Sequence, residues 1–318
     1  MPQRIELEAH VPEELGGMRF DQIAAELFPD YSRSRLQEWI KSGELTVDGG
    51  EKRAKDKLWG GALLKVCAEL EAEEAWVAEE IPLDIVYEDD SIIVINKPAN
   101  LVVHPAAGNY QGTLLNALLH HHQLLETVPR AGIVHRLDKD TTGLMVVAKN
   151  LIAHNHLVRQ LQDRSVSREY EAIVIGDMTG GGTVNLPIGR HPTQRKKMAV
   201  NDTNGKEAVT HYRLIKRFKN HIHITVKLET GRTHQIRVHL AHINHPLVGD
   251  SLYGGRFKIP RGTSAELVKL LREFPRQALH ARRLGLIHPE TEEYMDWEID
   301  LPDDLLMLIK ELEKDNSE

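Results

Sequence analysis

From residue 18 to residue 70 the apolar positions change period several times, and each change predicts an element. In MRFDQIAAELF the apolar residues Phe20, Ile23, Ala24 and Leu27 recur at helical spacing. Pro29 and Asp30 break the pattern, and Ser32 offers an N-cap to a second helix, RSRLQEWIKS, which Gly43 ends. LTV at 45–47 is a short strand, Asp48-Gly49 supplies a hairpin turn, and ALLKVCAEL alternates as a further strand. The next stretch, ELEAEEAWVAEE at 69–80, is almost entirely acid and alanine, and a block of like charge reads as exposed linker.

Regular alternation resumes after Pro82. LDIVY and SIIVIN flank EDD as a hairpin that leads to Lys97-Pro98. GTLLNALLHHHQLL and NLIAHNHLVRQLQ are helical by period, whereas REYEAIVIG, EAVTHYRLI and HIHITVKLE are strands by alternation and β-branched content. DDLLMLIKELEK predicts a final packing helix with Leu305, Ile309 and Leu312 on one face. Strands and helices do not alternate strictly, which disfavours a doubly wound parallel sheet. The pattern predicts an α+β fold with a mixed, largely antiparallel central sheet and flanking helices. The expected organisation is a small α/β domain over 1–70, an acidic linker over 71–82 and a main domain over 83–318.

Composition narrows the class. With 318 residues, 41% of them hydrophobic, the chain can build one sizeable core and a small accessory domain. No apolar stretch approaches the ~18–20 residues that span a bilayer. MPQRIELEAHVPEELGG alternates and carries charge, unlike the continuous apolar core of a signal peptide. Cys67 is the only cysteine, so there is no internal disulfide or thiolate cluster, and a reducing cytoplasm is the expected setting.

The net charge of −7 is unevenly spread: residues 1–150 carry −10, residues 151–290 carry +12 and residues 291–318 carry −9. RKK at 195–197 and RLIKRFK at 213–219 lie in the basic middle, which suits a polyanionic ligand held at one place. Arg33, Arg35 and Lys41, with Lys52, Arg53, Lys55 and Lys57, predict a second cationic surface in the N-terminal domain. Histidine clusters at 120–122 and at His239, His242 and His245 invite a metal, but apart from Asp250 the sequence supplies no carboxylate or thiolate partner. RNA contact or capping accounts for them better, and no metal is expected. GGG at 180–182 does not precede a phosphate-binding helix, so no nucleotide cofactor is expected.

The chemistry concentrates in AGIVHRLDKDTTGLMVVAK at 131–149. Asp138 and Asp140 can be simple turn-formers. DTTG resembles the Asp-Thr-Gly loop of aspartic proteases, but that chemistry needs two such loops sharing a proton. A third reading is catalytic: a carboxylate between Arg136 and Lys139 is expected to stay ionised, and an ionised aspartate in a cleft can act as nucleophile or base without a metal.

HRLDKDTTGLMVVAK is similar to the catalytic motif of the pseudouridine synthases, in the branch that modifies ribosomal and transfer RNA at uridine. The resemblance extends over IVYEDDSIIVINKPANLVVHP, REYEAIVIG and LETGRTHQIRVHLAHINHPLVGDSLYG, and the N-terminal domain resembles the S4 RNA-binding fold. It implies the mixed antiparallel sheet already read from the strands, with a cleft running across it. It also implies that Asp138 is the essential aspartate, Tyr170 the active-site tyrosine and Arg237 the active-site arginine. Many relatives carry lysine where this chain has Arg168, and the charge is kept. By the same resemblance Arg237 would pair with Asp138, and Tyr170 would stack on uracil or move a proton at C5.

A uridine in folded RNA must be flipped from its stack, and Arg136 is placed to fill the space it leaves. Arg136, Lys139, Arg168, Arg195, Lys196 and Lys197, with Arg33, Arg35 and Lys41 of the N-terminal domain, are the expected RNA contacts. The implied partner is large-subunit ribosomal RNA or an assembling ribosomal subunit, met by a cytoplasmic monomer without cofactor. Transfer RNA is the alternative substrate. A ribosome-associated assembly factor with secondary catalysis is the rival class.

Overall fold

The computed structural model describes residues 3–29, 31, 33–70, 76–105, 109–194, 197–255 and 262–317. The chain divides into two compact units, 1–76 and 77–318. In the first, β1 (Gln3–His10), β2 (Leu45–Val47) and β3 (Leu63–Leu70) form an antiparallel sheet in the order β1-β3-β2. Two helices accompany it, α1 (Phe20–Leu27) and α2 (Arg33–Ser42). The helical spacing read from the sequence buries Phe20, Ile23 and Ala24 of α1, and Leu36, Trp39 and Ile40 of α2 join them in one core. Gly43 takes φ +82° just past α2, the left-handed geometry that glycine tolerates. The Ser32 cap lies outside the described residues. The N-terminal alternation, which the sequence reading used only against a signal peptide, is a full strand paired with β3.

The second unit carries a nine-stranded sheet. Its first strands are β4 (Ile85–Glu88) and β5 (Ile92–Lys97), the expected hairpin, followed after α3 (Leu114–His121) by β6 (Thr142–Ala148). Next come α4 (Leu151–Gln162), β7 (Ser167–Ile175), β8 (Gly182–Asn185), β9 (Ile188–Arg190) and β10 (Met198–Val200). Then follow β11 (Val209–Arg217), β12 (His221–Leu228), α5 (Gln235–His242) and α6 (Ala265–Glu273). The unit closes with β13 (Leu279–Ile287), β14 (Tyr294–Glu298) and α7 (Asp303–Ser317). The strand order is β4-β5-β6-β13-β7-β12-β11-β8, with β14 on β13, while β9 and β10 make a separate hairpin. All pairings are antiparallel except β13 with β6.

The sheet is covered where its strands lose alternation. All seven residues of β6 are buried, the pattern of a strand enclosed on both faces. Ala153 and Leu157 of α4 pack on Ile92, Val94, Leu144 and Val146. Leu267 and Leu271 of α6 meet Leu305, Leu308 and Leu312 of α7 in a second core, with Ile309 only half-buried there. The acidic linker was expected to run to residue 82, but residues 77–82 include contacts to α3. The Glu79 N–H donates to Asn116 O at 3.0 Å, and Asn116 Nδ2 donates to Val77 O at 2.8 Å. No described helix is long and apolar enough to cross a membrane.

Candidate active site

Asp138 sits in the tight turn that feeds β6. The Thr141 N–H closes the turn on Asp138 O at 3.1 Å. Three side chains from distant parts of the chain hold the rest of it. Lys97, at the end of β5, donates from Nζ to Lys139 O at 2.9 Å, and also to Pro98 O and Leu101 O. Arg276 donates to Asp140 O at 3.2 Å and is itself gripped by both oxygens of Asp304. Gln277 donates to Thr141 Oγ1 at 3.0 Å. Burial brings the Lys97 pKa down from 10.5 to about 7, against the pull of the Asp140 and Asp138 carboxylates. Gly143 completes the turn at φ +114°, where a Cβ would stand 2.3 Å from Ala281 O of the parallel partner β13.

The Asp138 carboxylate is the half-buried end of a charge ladder that runs inward. Arg237 Nη1 donates to Asp138 Oδ2 at 2.9 Å. The other edge of the same guanidinium is bidentate on Asp250, with Nε to Oδ2 at 2.7 Å and Nη2 to Oδ1 at 2.9 Å. Asp250 Oδ1 also accepts the backbone N–H groups of Leu252 and Tyr253. Burial opposes the charge on Asp250, but Arg237 and these N–H groups outweigh it and hold the carboxyl below its ordinary range. For Arg237, burial acts downward and the two carboxylates more than reverse it, so its pKa is raised.

Arg237 lies on α5, whose entry is set by His234 in the left-handed region at φ +56°. That turn is stitched by Gln235, which accepts from Thr230 Oγ1 and the Arg232 N–H and donates to Val209 O. His234 Nδ1 is 2.8 Å from Tyr253 OH, and its Nε2 stands 3.9 Å from Asp138 Oδ1. Burial lowers the His234 pKa, while Asp138 opposes the shift.

Asp138, Arg237, His234 and Gln235 line a cavity of about 800 Å³, which Tyr170 and Arg168 also border. The two are separated by one residue on β7 and so project to one side of the strand. Both are buried. Burial raises the Tyr170 pKa, with Arg168 opposing and Asp138 adding. His135, before the turn, accepts the Val146 N–H on Nε2, and burial takes its pKa down to about 3, so it is a neutral structural ring.

The structure therefore brings Asp138, Tyr170, Arg237, Arg136 and Arg168 to one cavity. Arg136 is exposed and makes no ion pair with a described residue, whereas Lys139 is exposed and does not border the cavity. Lys197 belongs to the turn between β9 and β10 and also lies off the cavity, and Arg195 and Lys196 are outside the described residues. In the N-terminal unit Lys41 is exposed and Arg35 half-buried. Arg33 pairs with buried Asp21 at 2.7 Å, which Arg19 and Gln37 also serve. Part of that arginine cluster thus already neutralises a buried carboxylate from the surface side.

His239 lies in the core between Thr210 Oγ1 and Leu186 O. Among the described residues no three His, Cys, Asp or Glu side chains are grouped to hold a metal ion. Sequence reasoning missed Lys97, Arg276 and His234 altogether and met Asp250 only as a stray carboxylate. The lysine in NKP and the THQIR run were their only local signals.

Residues 91–242 match the family model described as RNA pseudouridylate synthase. The ribosomal large subunit pseudouridine synthase D of Pseudomonas aeruginosa is 64% identical over 315 residues, which is 99% of this chain and 98% of that protein. The protein of the same name from Escherichia coli strain K12 is 55% identical over 319 residues, 100% and 98% of the two chains. Among solved structures, human RNA pseudouridylate synthase domain containing 4 superposes with a TM-score of 0.57 at 27% identity, covering 72% of this chain and 93% of its own.

Proposed function

The chain belongs to the RNA pseudouridylate synthase family, and on that premise we propose that it isomerises uridine to pseudouridine in large-subunit ribosomal RNA, with Asp138 as the group that opens the reaction. The observation that carries the residue assignment is the ladder Asp250–Arg237–Asp138 at the wall of the cavity. Isomerisation must break the bond from ribose C1′ to uracil N1, turn the base, join C1′ to C5 and release the C5 proton. Arg237 fixes one Asp138 oxygen through a charge-assisted hydrogen bond. The second oxygen is left to attack sugar or base, or to take a sugar proton.

The volume suits a single flipped nucleoside, since pockets for small ligands run to roughly 300–1,000 Å³. Arg136, exposed at the cavity, is suited to fill the hole in the RNA stack. The N-terminal unit, S4-like in its helix pair and hairpin, offers Arg35 and Lys41 to RNA phosphates. In this reading the protein works in the cytoplasm as a monomer, on free RNA or an assembling subunit, with its own side chains supplying the chemistry.

The test is carbodiimide-dependent primer extension on ribosomal RNA from cells carrying wild-type protein or Asp138→Asn. Loss of every stop that depends on the protein, with RNA affinity unchanged within about threefold, is the expected result. Stops that persist in the variant would remove Asp138 from the mechanism and favour an assembly role.

A further inference from the structure

Among the described residues, Arg168 is a buried cation with no buried anion to meet it. Its residue is 6% exposed. Its one hydrogen bond among the described residues runs from Nη2 to the Glu229 carbonyl at 3.3 Å, and its Nε has no partner. Arg237, the other buried arginine of the cavity, contrasts with it in having two carboxylates. A guanidinium taken out of water without a carboxylate is costly unless something else satisfies it. Here the surroundings keep it bare: Gly231 lies so close that a Cβ there would be 2.8 Å from Arg168 Nη1.

Its place limits what can come to it. Arg168 shares a strand face with Tyr170, and both border the cavity that holds Asp138. An RNA phosphate belongs to a polymer that stays at the cavity mouth, and the rim has its own exposed cation in Arg136. The part of a nucleotide that enters deepest is the flipped base. We propose that Arg168 is a catalytic residue that hydrogen-bonds a carbonyl oxygen of the uracil and takes up the negative charge that develops on the ring.

This inference rests on the isomerase reading and deepens it. Whichever way Asp138 begins, electrons flow into the ring. If Asp138 displaces the base, or removes the proton from C2′, the N1–C1′ bond breaks with its electron pair on N1, spread to O2 and O4. If Asp138 adds to C6, the pair moves through C5 to O4. In the later step C5 donates a pair to C1′ and the charge leaves the oxygens. Asp138 is released, from C1′ or C6 or by returning its proton to C2′, and as the C5 proton departs N1 takes one up, which gives neutral pseudouridine. A fixed cation aimed at those oxygens stabilises the charged stage more than the neutral uridine, which is what lowers a barrier.

The test compares wild type, Arg168→Met and Arg168→Lys in single turnover at saturating RNA. It uses a large-subunit rRNA transcript that the wild type modifies, made with uridine or 5-fluorouridine. Fluorine stabilises the ring anion, so a fluorinated base needs less help from a cation. Loss of the N-glycoside is read as the rate, and affinity is read separately by filter binding over a salt series. For uridine, Arg168→Met should slow the reaction roughly 100-fold or more with affinity unchanged within about twofold, as for loss of one charge-stabilising donor. Arg168→Lys should restore most of the rate, and the Met defect should shrink about tenfold on the fluorinated transcript.

Equal defects on both transcripts overturn the proposal, as does a defect confined to affinity with a shallower salt dependence, the mark of a phosphate contact. If Arg168→Met does not fold, Arg168→Lys against wild type carries the same two-substrate comparison with a smaller ratio, judged by the same criterion. A wild type inactive on all transcripts overturns the isomerase reading, and the inference falls with it.

Discussion

Replacing Asp250 with asparagine tests whether the ladder behind Asp138 matters for rate as well as stability. The change is isosteric but removes one charge. Asp250 Oδ1 accepts three donors, from Arg237 Nη2 and the N–H groups of Leu252 and Tyr253, so the one carbonyl oxygen that the variant keeps settles there. The new amide nitrogen then faces Arg237 Nε, which donated to Oδ2 at 2.7 Å, and two donors meet. A hydrogen bond to a charged group is worth ~1.5–3 kcal/mol, and removing one partner of a buried pair outright costs ~3–5 kcal/mol. Three of four bonds survive, so the lower range applies. If the same loss is felt when Arg237 must hold Asp138 in the transition state, the rate falls roughly 10- to 150-fold. Urea unfolding measures the first quantity, and single-turnover release of the C5 hydrogen from labelled RNA measures the second. Because Asp250 has a depressed carboxyl pKa, its stabilisation is present above the unfolded-state value and is lost as pH falls through the folded-state value. Asp250→Asn should therefore lose part of the acid sensitivity of the wild type. A variant that is less stable yet turns over at the wild-type rate would refute the view that Asp250 acts through Arg237 on Asp138.

Further outcomes follow from neighbouring geometry. Lys97 has a folded-state pKa of about 7 against 10.5 in the open chain, so between these values the unfolded chain binds the extra proton. The stability of wild type relative to Lys97→Met should rise as pH goes from 7 to 10, measured by urea melts; a constant difference would rule out the shift. Gly143→Ala places a Cβ 2.3 Å from Ala281 O at φ +114°, and the strain alone is ~1–3 kcal/mol. Thermal melting should show at least that loss, with no measurable turnover, and a variant as stable and active as wild type would contradict the tight β6–β13 contact. Truncation to residues 77–318 should leave a cooperatively folding unit by circular dichroism, with weaker binding to large RNA; non-cooperative unfolding would show that the units depend on each other.

The legible part of this molecule was local. Helical spacing found α1, α2 and α4, alternation found β7, β11 and β12, and the HRLD, REYEA and HQIR runs singled out Asp138, Tyr170 and Arg237, which the fold brings to one cavity. What escaped was non-local. LHARRLGLI lacks clean alternation because Arg282 and Arg283 interrupt it. Yet this strand lies between β6 and β7 and supplies the sheet's parallel pairing. Lys97 and Arg276 are 179 residues apart, and nothing in either neighbourhood says that both hold carbonyls of one turn. Asp250 looked like a spare ligand because its partner is thirteen positions earlier, on a helix whose direction the sequence does not state. The basic run at 213–219 is β11 and its end, where Lys216 pairs with Glu313 of α7, so part of that charge is neutralised within the fold.

The two Asp138 oxygens are chemically distinct before any RNA arrives. Oδ2 is engaged by Arg237 at 2.9 Å, whereas His234 Nε2 stands 3.9 Å from Oδ1, too far for a hydrogen bond. In the proposed reaction Oδ1 would be the freer nucleophile or base, because reaction there leaves the Arg237 contact in place. The ring of His234 is held by Tyr253, whose hydroxyl also accepts the Met198 N–H from β10. A shift of the β9–β10 hairpin would reach Asp138 through those two side chains. If, as proposed, RNA touches the hairpin and Asp138 reacts, the two would be coupled through hydrogen bonds already in place. Tyr253→Phe should therefore weaken the response of turnover rate to substitutions in that hairpin, and a wild-type response in the Phe variant would break the link.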